Sequence, residues 1–327
     1  MLEKKNIILD CDPGIDDALA LMLALSSPEL NICGITTVSG NVPSDMGAYN
    51  ALRTLHFMNR LDIPVYCGAK TPLVRNYVSA QDTHGADGLG ESNISSPQNI
   101  SWRTGAVDFI LETLRTTTSL TIVALGPLTN IALALRRDKK AFQNLSQLIS
   151  MGGNFRSYGN CSPVAEYNYW CDPDAASEVF ENLGKPIHMV GLDVTRKIVL
   201  TPNLLEYMRI LNPDTAEFIQ KITRFYMDFH WKQEGIIGCV INDPLAVAYA
   251  VKPDICQGFD AYTAIETNGI CIGQSVVDSM NFWRRKPNSH ILTQTNPIDF
   301  MTMFISRMFR KEPNQIQPIL SKIMTGV

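Results

Sequence analysis

The 327-residue sequence has little excess charge of either sign, which limits its possible partners. Its 28 Lys and Arg residues oppose 32 Asp and Glu residues, a net charge of −4 at neutral pH. Proteins that bind nucleic acid through phosphates present a basic surface, so nucleic acid is not an expected partner. The sequence also has no apolar run long enough to span a bilayer, so we expect no membrane-spanning helix.

Features of a secreted protein are lacking too. The start, Met1 to Lys5, has no long apolar core of the kind found in signal peptides. The eight cysteines are scattered and none forms a Cys-x-x-Cys pair. Several of them, such as Cys33 and Cys239, lie in apolar surroundings. We therefore interpret the cysteines as reduced core residues of a cytoplasmic protein.

What the sequence does have is a group of four carboxylates within one tight turn near its start. They are Asp10, Asp12, Asp16 and Asp17. The apolar residues 7–9 before them predict a short strand that is buried on both faces. Pro13-Gly14 forces the turn, and the Ala- and Leu-rich residues 18–25 predict a buried helix. The acids should therefore lie between a strand's carboxyl end and a helix N-terminus.

Four anions in so small a space need compensation. A helix N-terminus stabilises one or two carboxylates by roughly 0.3–1 kcal/mol each, so the others must be protonated or neutralised by a cation. Ligation by oxygen alone favours Ca²⁺ or Mg²⁺. The alternative is that Asp16 and Asp17 only cap the helix while Asp10 and Asp12 face solvent. Asp243, at the start of a later apolar helix, is either a cap or a remote ligand of the same metal, and we favour the ligand.

Further polar groups follow the carboxyl ends of later predicted strands, where open α/β sheets bind their ligands. Asn41 follows a strand predicted over residues 32–38. The carbonyl of Leu125 ends a strand predicted over residues 121–125, and a backbone carbonyl is a good calcium ligand. Ordinary turns are the alternative explanation for both.

Two irregular segments add polar side chains. The glycine-rich part of the long stretch 69–102 contains His84, for which a solvated loop histidine is the plain alternative. A second loop carries Asn160, Glu166 and Asn168, which could together bind the hydroxyls of a sugar.

Strands and helices alternate from Asn6 to Val251, without a linker-like shift in composition and without internal repeats. This pattern predicts one α/β domain, residues 1–327, with an open, mostly parallel central sheet and helices on both faces. Ile187 to Val190 is predicted as the last parallel strand. Tyr262 to Glu266 and His290 to Thr293 predict a small antiparallel addition near the C-terminus.

Several segments resemble the nucleoside hydrolases, the inosine-uridine-preferring N-ribohydrolase family, and they occur in the family's order along nearly the whole chain. They are Asp10-Cys11-Asp12-Pro13-Gly14-Ile15-Asp16-Asp17, Gly40-Asn41, His84-Gly85 with Gly88-Leu89-Gly90, Gly126-Pro127-Leu128-Thr129-Asn130, Met151-Gly152-Gly153, Gly159-Asn160, Glu166-Tyr167-Asn168 and Asp243-Pro244. Each is weakly specific alone, whereas their joint occurrence is highly specific. The resemblance implies the Rossmann-like nucleoside hydrolase fold and hydrolysis of purine or pyrimidine ribonucleosides to ribose and free base, as in nucleoside salvage.

The resemblance also implies roles for the matching residues. Calcium would be held by four groups, namely Asp12, Asp17, the Leu125 carbonyl and Asp243, and Asp12 would be the general base toward a calcium-bound water. The implied substrate-binding residues are Asp16, Asn41, His84, Met151, Asn160, Glu166, Asn168 and Asn242. Leu125 stands where the family often has threonine, a change to which a main-chain ligand is indifferent. A homodimer or homotetramer is implied as well.

One position departs from the family pattern. Many relatives carry histidine directly before the metal-binding aspartate, where it can protonate the leaving base, and here that residue is Asn242. A neutral amide can form hydrogen bonds but cannot supply a proton. The proton must come from elsewhere, with Tyr226, His230 and His84 as unranked candidates, or the preferred substrate needs less of it. The preference for purine or pyrimidine therefore stays open.

Two other functions fit parts of the pattern. A haloacid-dehalogenase-like phosphatase also has Asp-x-Asp after its first strand, but it would carry Gly-Thr where this chain has Pro13-Gly14. A nucleoside- or sugar-binding protein without catalysis is the other alternative, and the intact Asp12 argues against it.

Overall fold

The computed structural model describes residues 4–98 and 100–326, and a ten-stranded sheet forms its centre. The strands are β1 (Lys5–Cys11), β2 (Leu30–Thr37), β3 (Val65–Cys67), β4 (Arg103–Thr104), β5 (Leu120–Ala124), β6 (Leu145–Met151), β7 (Ile187–Val190), β8 (Val199–Leu200), β9 (Cys239–Val240), β10 (Cys256–Ile265), β11 (Ser275–Asp278) and β12 (Ser289–Thr295). The helices are α1 (Ile15–Leu25), α2 (Ser44–Phe57), α3 (Gln81–His84), α4 (Ala106–Thr116), α5 (Thr129–Arg137), α6 (Tyr167–Cys171), α7 (Pro173–Asn182), α8 (Leu192–Thr195), α9 (Pro202–Leu211), α10 (Pro213–Glu234), α11 (Asp243–Val251), α12 (Pro297–Met308) and α13 (Pro313–Thr325).

The strand order across the sheet is β11-β10-β12-β7-β6-β5-β1-β2-β3-β4. All neighbours from β12 to β4 are parallel, while β10 pairs antiparallel with both β12 and β11. The predicted fold class, a mostly parallel sheet with a small antiparallel addition near the C-terminus, is confirmed. Strands β8 and β9 form a separate antiparallel pair.

The sheet is covered by helices on both faces, as the alternation of β1 side chains shows. Ile7 and Leu9 belong to one hydrophobic core, which includes α1 and α11, whereas Ile8 belongs to the core on the opposite face. The all-apolar helix α1 is buried along almost its whole length because it packs between the sheet and other helices.

Register brings the carboxyl ends of the central strands to one edge. Asp10 of β1 lies opposite Thr36 of β2 on one side and Ala124 of β5 on the other, and Ala124 lies opposite Ser150 of β6. The segments that leave these strands therefore meet above one edge of the sheet, as predicted from the sequence.

Two local predictions are wrong. Residues 187–190 are not the last parallel strand, because β12 also lies parallel to β7. A strand has two edges, so β12 pairs with β10 on one and with β7 on the other, and its residue pattern does not encode this. Proline is common at the first position of a helix, so the sequence also predicts that a helix begins at Pro127. Helix α5 instead begins at Thr129, and Pro127 lies in the preceding turn.

The cysteines are free thiols, but they are not all core residues. Cys33 and Cys271 are partly exposed and Cys161 is exposed, whereas the remaining five are buried. An apolar sequence neighbourhood does not reveal which face of a strand or loop a side chain occupies, so the interpretation of all eight as core residues is wrong. Within the described ranges, no helix combines the length and apolarity that crossing a membrane requires.

Candidate active site

A cavity of about 360 Å³ opens where the central strands end. All of the predicted site residues except Asp12 and Asp17 line it. These are Asp16, Asn41, His84, Leu125, Met151, Asn160, Glu166, Asn168, Asn242 and Asp243. Asp12 and Asp17 are completely buried and adjoin it through Asn41. The fold thus brings residues from positions 12 to 243 to one place.

Four buried carboxylates, which we call the acidic floor, lie at one side of this cavity: Asp12, Asp16, Asp17 and Asp243. Carboxylate oxygens of Asp16, Asp17 and Asp243 lie within 4.8 Å of one another. Asp17 also accepts hydrogen bonds from the backbone N–H groups of Gly14 (2.9 Å) and Asp12 (3.2 Å), so it holds the turn together as well.

Asp12 is enclosed by backbone. Its Oδ2 accepts the N–H of Asn41 at 2.7 Å, while its Oδ1 is buried without a hydrogen-bond partner among the described residues. A Cβ atom at Gly126 would lie 2.6 Å from Oδ1, and one at Gly40 would overlap Oδ2, so only glycine fits at either position. The alternative in which Asp12 faces solvent is wrong. A buried carboxylate oxygen without a partner calls for a cation, a proton or a water.

Burial and mutual repulsion act together on the floor. Burial, followed by the charges of its neighbours, raises the pKa of Asp12 and of Asp243 well above the ordinary range. The same two causes raise the pKa of Asp17 to about 7. A bound cation would remove the repulsion that causes part of these shifts. The donors are all oxygens, so the residues present fit a hard divalent cation.

The fourth acid of the opening turn, Asp10, has a different role. It is fully buried, and its Oδ1 accepts hydrogen bonds from Thr36 Oγ1 (2.5 Å) and Asn130 Nδ2 (2.8 Å). Burial raises its pKa to about 6. Asn130 also donates to the Thr37 carbonyl at 3.0 Å, so this pair ties β1 and β2 to α5. Asp10 therefore holds together the strands and the helix that lie next to the floor. The alternative in which Asp10 faces solvent is wrong.

Glu166 organises the loop that follows β6. Its carboxylate accepts the backbone N–H groups of Gly153 (2.9 Å), Asn168 (2.8 Å) and Tyr169 (3.2 Å), which caps the short helix α6. Burial raises the pKa of Glu166 to about 7 against these three bonds. Asn160 Oδ1 similarly accepts the N–H of Tyr167 at 2.9 Å. The loop is thus held in one shape with both side chains at the cavity.

Asn168 connects this loop to two strand ends. Its Nδ2 donates to the carbonyl of Leu125 at 2.7 Å and to the carbonyl of Met151 at 3.1 Å. A carbonyl oxygen has two lone pairs, so the Leu125 carbonyl retains one with which it can act as a ligand.

His84 is not a solvated loop residue. It ends helix α3 and is only 4% exposed, and its ring centroid lies 5.2 Å from that of Tyr226. Its Nδ1 accepts the N–H of Ile15 at 3.1 Å, so the neutral ring carries its hydrogen on Nε2. Burial lowers its pKa. His84 therefore offers the cavity a neutral N–H donor.

One side of the cavity, which we call the α10 wall, comes from one face of a single helix: Tyr226, Phe229, His230, Gln233 and Glu234. Sequence reasoning named Tyr226 and His230 only as unranked proton donors and missed the others. Their spacing is that of any helix face turned toward a core, so no sequence signal separates them from packing residues. Arg196, also missed, lines the cavity and contacts Glu234 at 3.3 Å.

Comparison with known proteins identifies close relatives. Residues 7–302 match the family described as inosine-uridine preferring nucleoside hydrolase. The chain is 36% identical over 305 residues to the pyrimidine-specific ribonucleoside hydrolase RihA of Enterobacter sp. (strain 638), covering 92% of this chain and 97% of that one. A purine-preferring ribonucleoside hydrolase from Gardnerella vaginalis has 30% identity and a TM-score of 0.88, covering 98% of this chain and 100% of that one. A plant nucleoside hydrolase has 32% identity, also with a TM-score of 0.88, covering 93% of this chain and 99% of that one.

These matches define the class of the protein, a glycosidase that acts on N-glycosyl bonds. Within that class, the chain belongs to the inosine-uridine preferring nucleoside hydrolase family, because the family match and the relatives extend over nearly its whole length. The resemblance inferred from the motifs is confirmed. Neither the phosphatase nor the catalytically inactive binding protein is favoured by any of the comparisons.

Proposed function

We propose that this protein hydrolyses the N-glycosidic bond of purine or pyrimidine ribonucleosides in a calcium-dependent reaction, for nucleoside salvage. The observation that carries the proposal is the acidic floor, buried beside a cavity that is lined with amide and carboxylate side chains. Bond cleavage leaves positive charge on the sugar, and fixed oxygen atoms around the sugar favour that charge.

The proposed calcium ligands are Asp12, Asp17, the Leu125 carbonyl and Asp243. The unpartnered Oδ1 of Asp12 and the raised pKa values of the three carboxylates support a cation at this place. Asp16 also has a carboxylate oxygen within 4.8 Å of those of Asp17 and Asp243, and we assign it to the substrate. Calcium would supply a Lewis acid that orients a water molecule and makes it more acidic.

Asp12 is the proposed general base. It accepts a proton from the water that attacks the anomeric carbon, and its position is held by the N–H of Asn41. The ribose is assigned to Asp16, Asn41, Asn160, Glu166 and Asn168. The remaining predicted substrate contacts are His84, Met151 and Asn242. All of these line the cavity.

A panel of ribonucleosides assayed for reducing sugar tests the function directly. We expect ribose release from at least one purine or pyrimidine ribonucleoside, loss of that release with a chelator, and recovery with added Ca²⁺. Full activity in the presence of the chelator would contradict the calcium requirement. Phosphate release from a phospho-substrate with no ribose release would favour the phosphatase instead.

The remaining expectations concern the whole molecule. We propose one cooperatively folded domain, residues 1–327, which acts as a homodimer or homotetramer in the cytoplasm. A monomer mass in light scattering at micromolar concentration would contradict the oligomer, and two separate unfolding transitions would contradict the single domain. Cell fractionation tests the location. That nucleic acid is not a partner stays a prediction.

A further inference from the structure

The leaving base needs a proton that Asn242 does not provide. Asn242 donates its backbone N–H and its Nδ2 to Asp16 Oδ2, each at 3.2 Å, and its Oδ1 is buried without a partner in the described part of the chain. An amide gives up no proton near neutral pH. The donor must therefore be another group at the cavity.

Tyr226 is poorly suited to this task. Its hydroxyl donates to Asp16 Oδ2 at 3.4 Å and accepts Nδ2 of Asn242 at 3.4 Å. Burial, followed by the charge of Asp16, raises its pKa well above the ordinary value. The proton is thus committed to Asp16 and costly to remove.

His84 is excluded by its tautomer. Its Nδ1 accepts the N–H of Ile15, so its single hydrogen is on Nε2. Loss of that hydrogen would create an imidazole anion, and a second proton on Nδ1 would face the Ile15 N–H. His84 can donate a hydrogen bond, but it cannot give up a proton and regain one without breaking this contact.

His230 has the opposite arrangement. Its Nδ1 lies 2.9 Å from the carbonyl oxygen of Tyr226, one turn earlier in α10. A carbonyl only accepts, so the hydrogen is on Nδ1. Nε2 makes no hydrogen bond to residues 4–98 and 100–326. His230 lines the cavity. Its Nε2 can therefore take up and release a proton while Nδ1 stays bonded, which is what a general acid requires.

The charges around His230 suit an acid rather than a permanent cation. Burial has the largest effect and lowers its pKa. Glu234 on the same helix and Asp16 across the cavity act in the opposite direction, and Arg196 adds to the lowering. A protonated His230 is therefore a stronger acid than a histidine in water, which helps transfer to a weakly basic leaving group.

We infer that His230 protonates the departing base from Nε2, in the role that Asn242 does not perform; this inference depends on the proposed function. The C1′–N bond breaks and its electron pair goes to the base, which takes the Nε2 proton of His230. The water oxygen bonds to C1′ and its proton goes to Asp12. Proton exchange with solvent restores both residues, so the net reaction consumes one water and one nucleoside.

Two substrates that differ only in the leaving group test this role. A ribonucleoside needs protonation of its base, whereas 4-nitrophenyl β-D-ribofuranoside releases an anion that is stable without it. We expect His230→Gln to lower kcat for the nucleoside by roughly 10²–10⁴-fold, the usual range for general acid catalysis, and to change kcat for the nitrophenyl riboside only slightly. His84→Gln is the matched control, and it should lower both activities by a similar factor.

An equal loss of both activities in His230→Gln, or no loss with the nucleoside, would overturn the inference. Should the wild-type protein cleave neither substrate, the proposed function itself has failed.

If His230→Gln does not fold, as judged by circular dichroism, the wild-type pH profile decides. Because the pKa of His230 is lowered from its ordinary value of 6.5, its protonated fraction falls by about tenfold per pH unit between about pH 7 and pH 9. Nucleoside turnover should fall with this fraction, while nitrophenyl riboside turnover stays flat. Parallel profiles for the two substrates would overturn the inference.

Discussion

The acidic floor and the α10 wall face the same cavity, yet they are built in different ways. The floor draws three of its four carboxylates from residues 12–17, and backbone N–H groups hold Asp12 and Asp17 from several directions. The wall is one face of a single helix, and His230 is held there by one bond to the carbonyl one turn before it. Under the proposed function, the rigid floor serves the sugar and the water, and the wall serves the base.

Burial shifts the pKa values of the two regions in opposite directions. Burial is the largest cause of the raised pKa of Asp12 and Asp17 in the floor, and also of the lowered pKa of His230 in the wall. Burial disfavours the charged form whatever its sign, so it makes carboxylates better proton acceptors and histidines better proton donors. Under the proposed function, burial therefore prepares a base on one side of the cavity and an acid on the other.

The largest expected effect comes from the floor. Asp12→Asn preserves the shape of the side chain but removes the base, and loss of general-base catalysis costs roughly 10²–10⁴-fold. We expect kcat at saturating Ca²⁺ to fall at least about a hundredfold in steady-state assays, while an inert nucleoside analogue still binds. Asp62→Asn, which changes an exposed aspartate, is the matched control. Near-wild-type turnover of Asp12→Asn would mean that another group activates the water.

Removal of a floor ligand should affect binding as well as chemistry. Asp17→Ala and Asp243→Ala are each expected to weaken calcium binding by at least about 10–100-fold, so KM should rise as kcat falls. Elemental analysis and calcium titration check this, with Asp254→Ala as an exposed control. Full metal content in both variants would show that the ligands are wrongly assigned.

The metal-free protein should become less stable as the pH rises. In the native state the pKa of Asp17 is raised to about 7, whereas its ordinary pKa is 3.8. Between pH 3.8 and about pH 7 the native state binds more protons than the unfolded chain. The stabilisation that comes from protonated Asp17 is therefore complete below pH 3.8 and is lost as the pH rises through about 7. Calcium should therefore raise Tm more at about pH 8 than at about pH 5, by a few °C, in scans with chelator or Ca²⁺. An equal gain at both pH values would contradict this account of the floor.

The smallest effect is expected where the wall touches the floor. Tyr226→Phe removes two long hydrogen bonds, one to Asp16 and one from Asn242, each 3.4 Å. At this length we expect the two together to contribute about 0.5–1.5 kcal/mol. kcat/KM should therefore fall by no more than about tenfold. Tyr66→Phe, which alters a hydroxyl outside the cavity, is the control. A loss as large as that of Asp12→Asn would show that Tyr226 takes part in the chemistry directly.

The two regions also differ in how many of their residues could be predicted from the sequence. The apolar residues 7–9, the Pro13-Gly14 turn and the helix after it placed Asp12, Asp16 and Asp17 at a strand end, and the structure has them there. Asn41 likewise followed from a predicted strand end, and Asn160 and Asn168 from a polar loop. All three line the cavity. The wall residues Phe229, Gln233 and Glu234 were not found.

By itself the sequence determined the alternation of strands and helices, the turn that gathers the acids, and the absence of a histidine at position 242. These properties are local, since they depend on side-chain periodicity and turn chemistry over a few residues. Only the tertiary structure decided that β12 lies parallel to β7, that His84 is buried with its hydrogen on Nε2, and that His230 lines the cavity with Nδ1 bonded to a backbone carbonyl. Each of these depends on which distant segments pack together, and packing between distant segments leaves no pattern in either one alone.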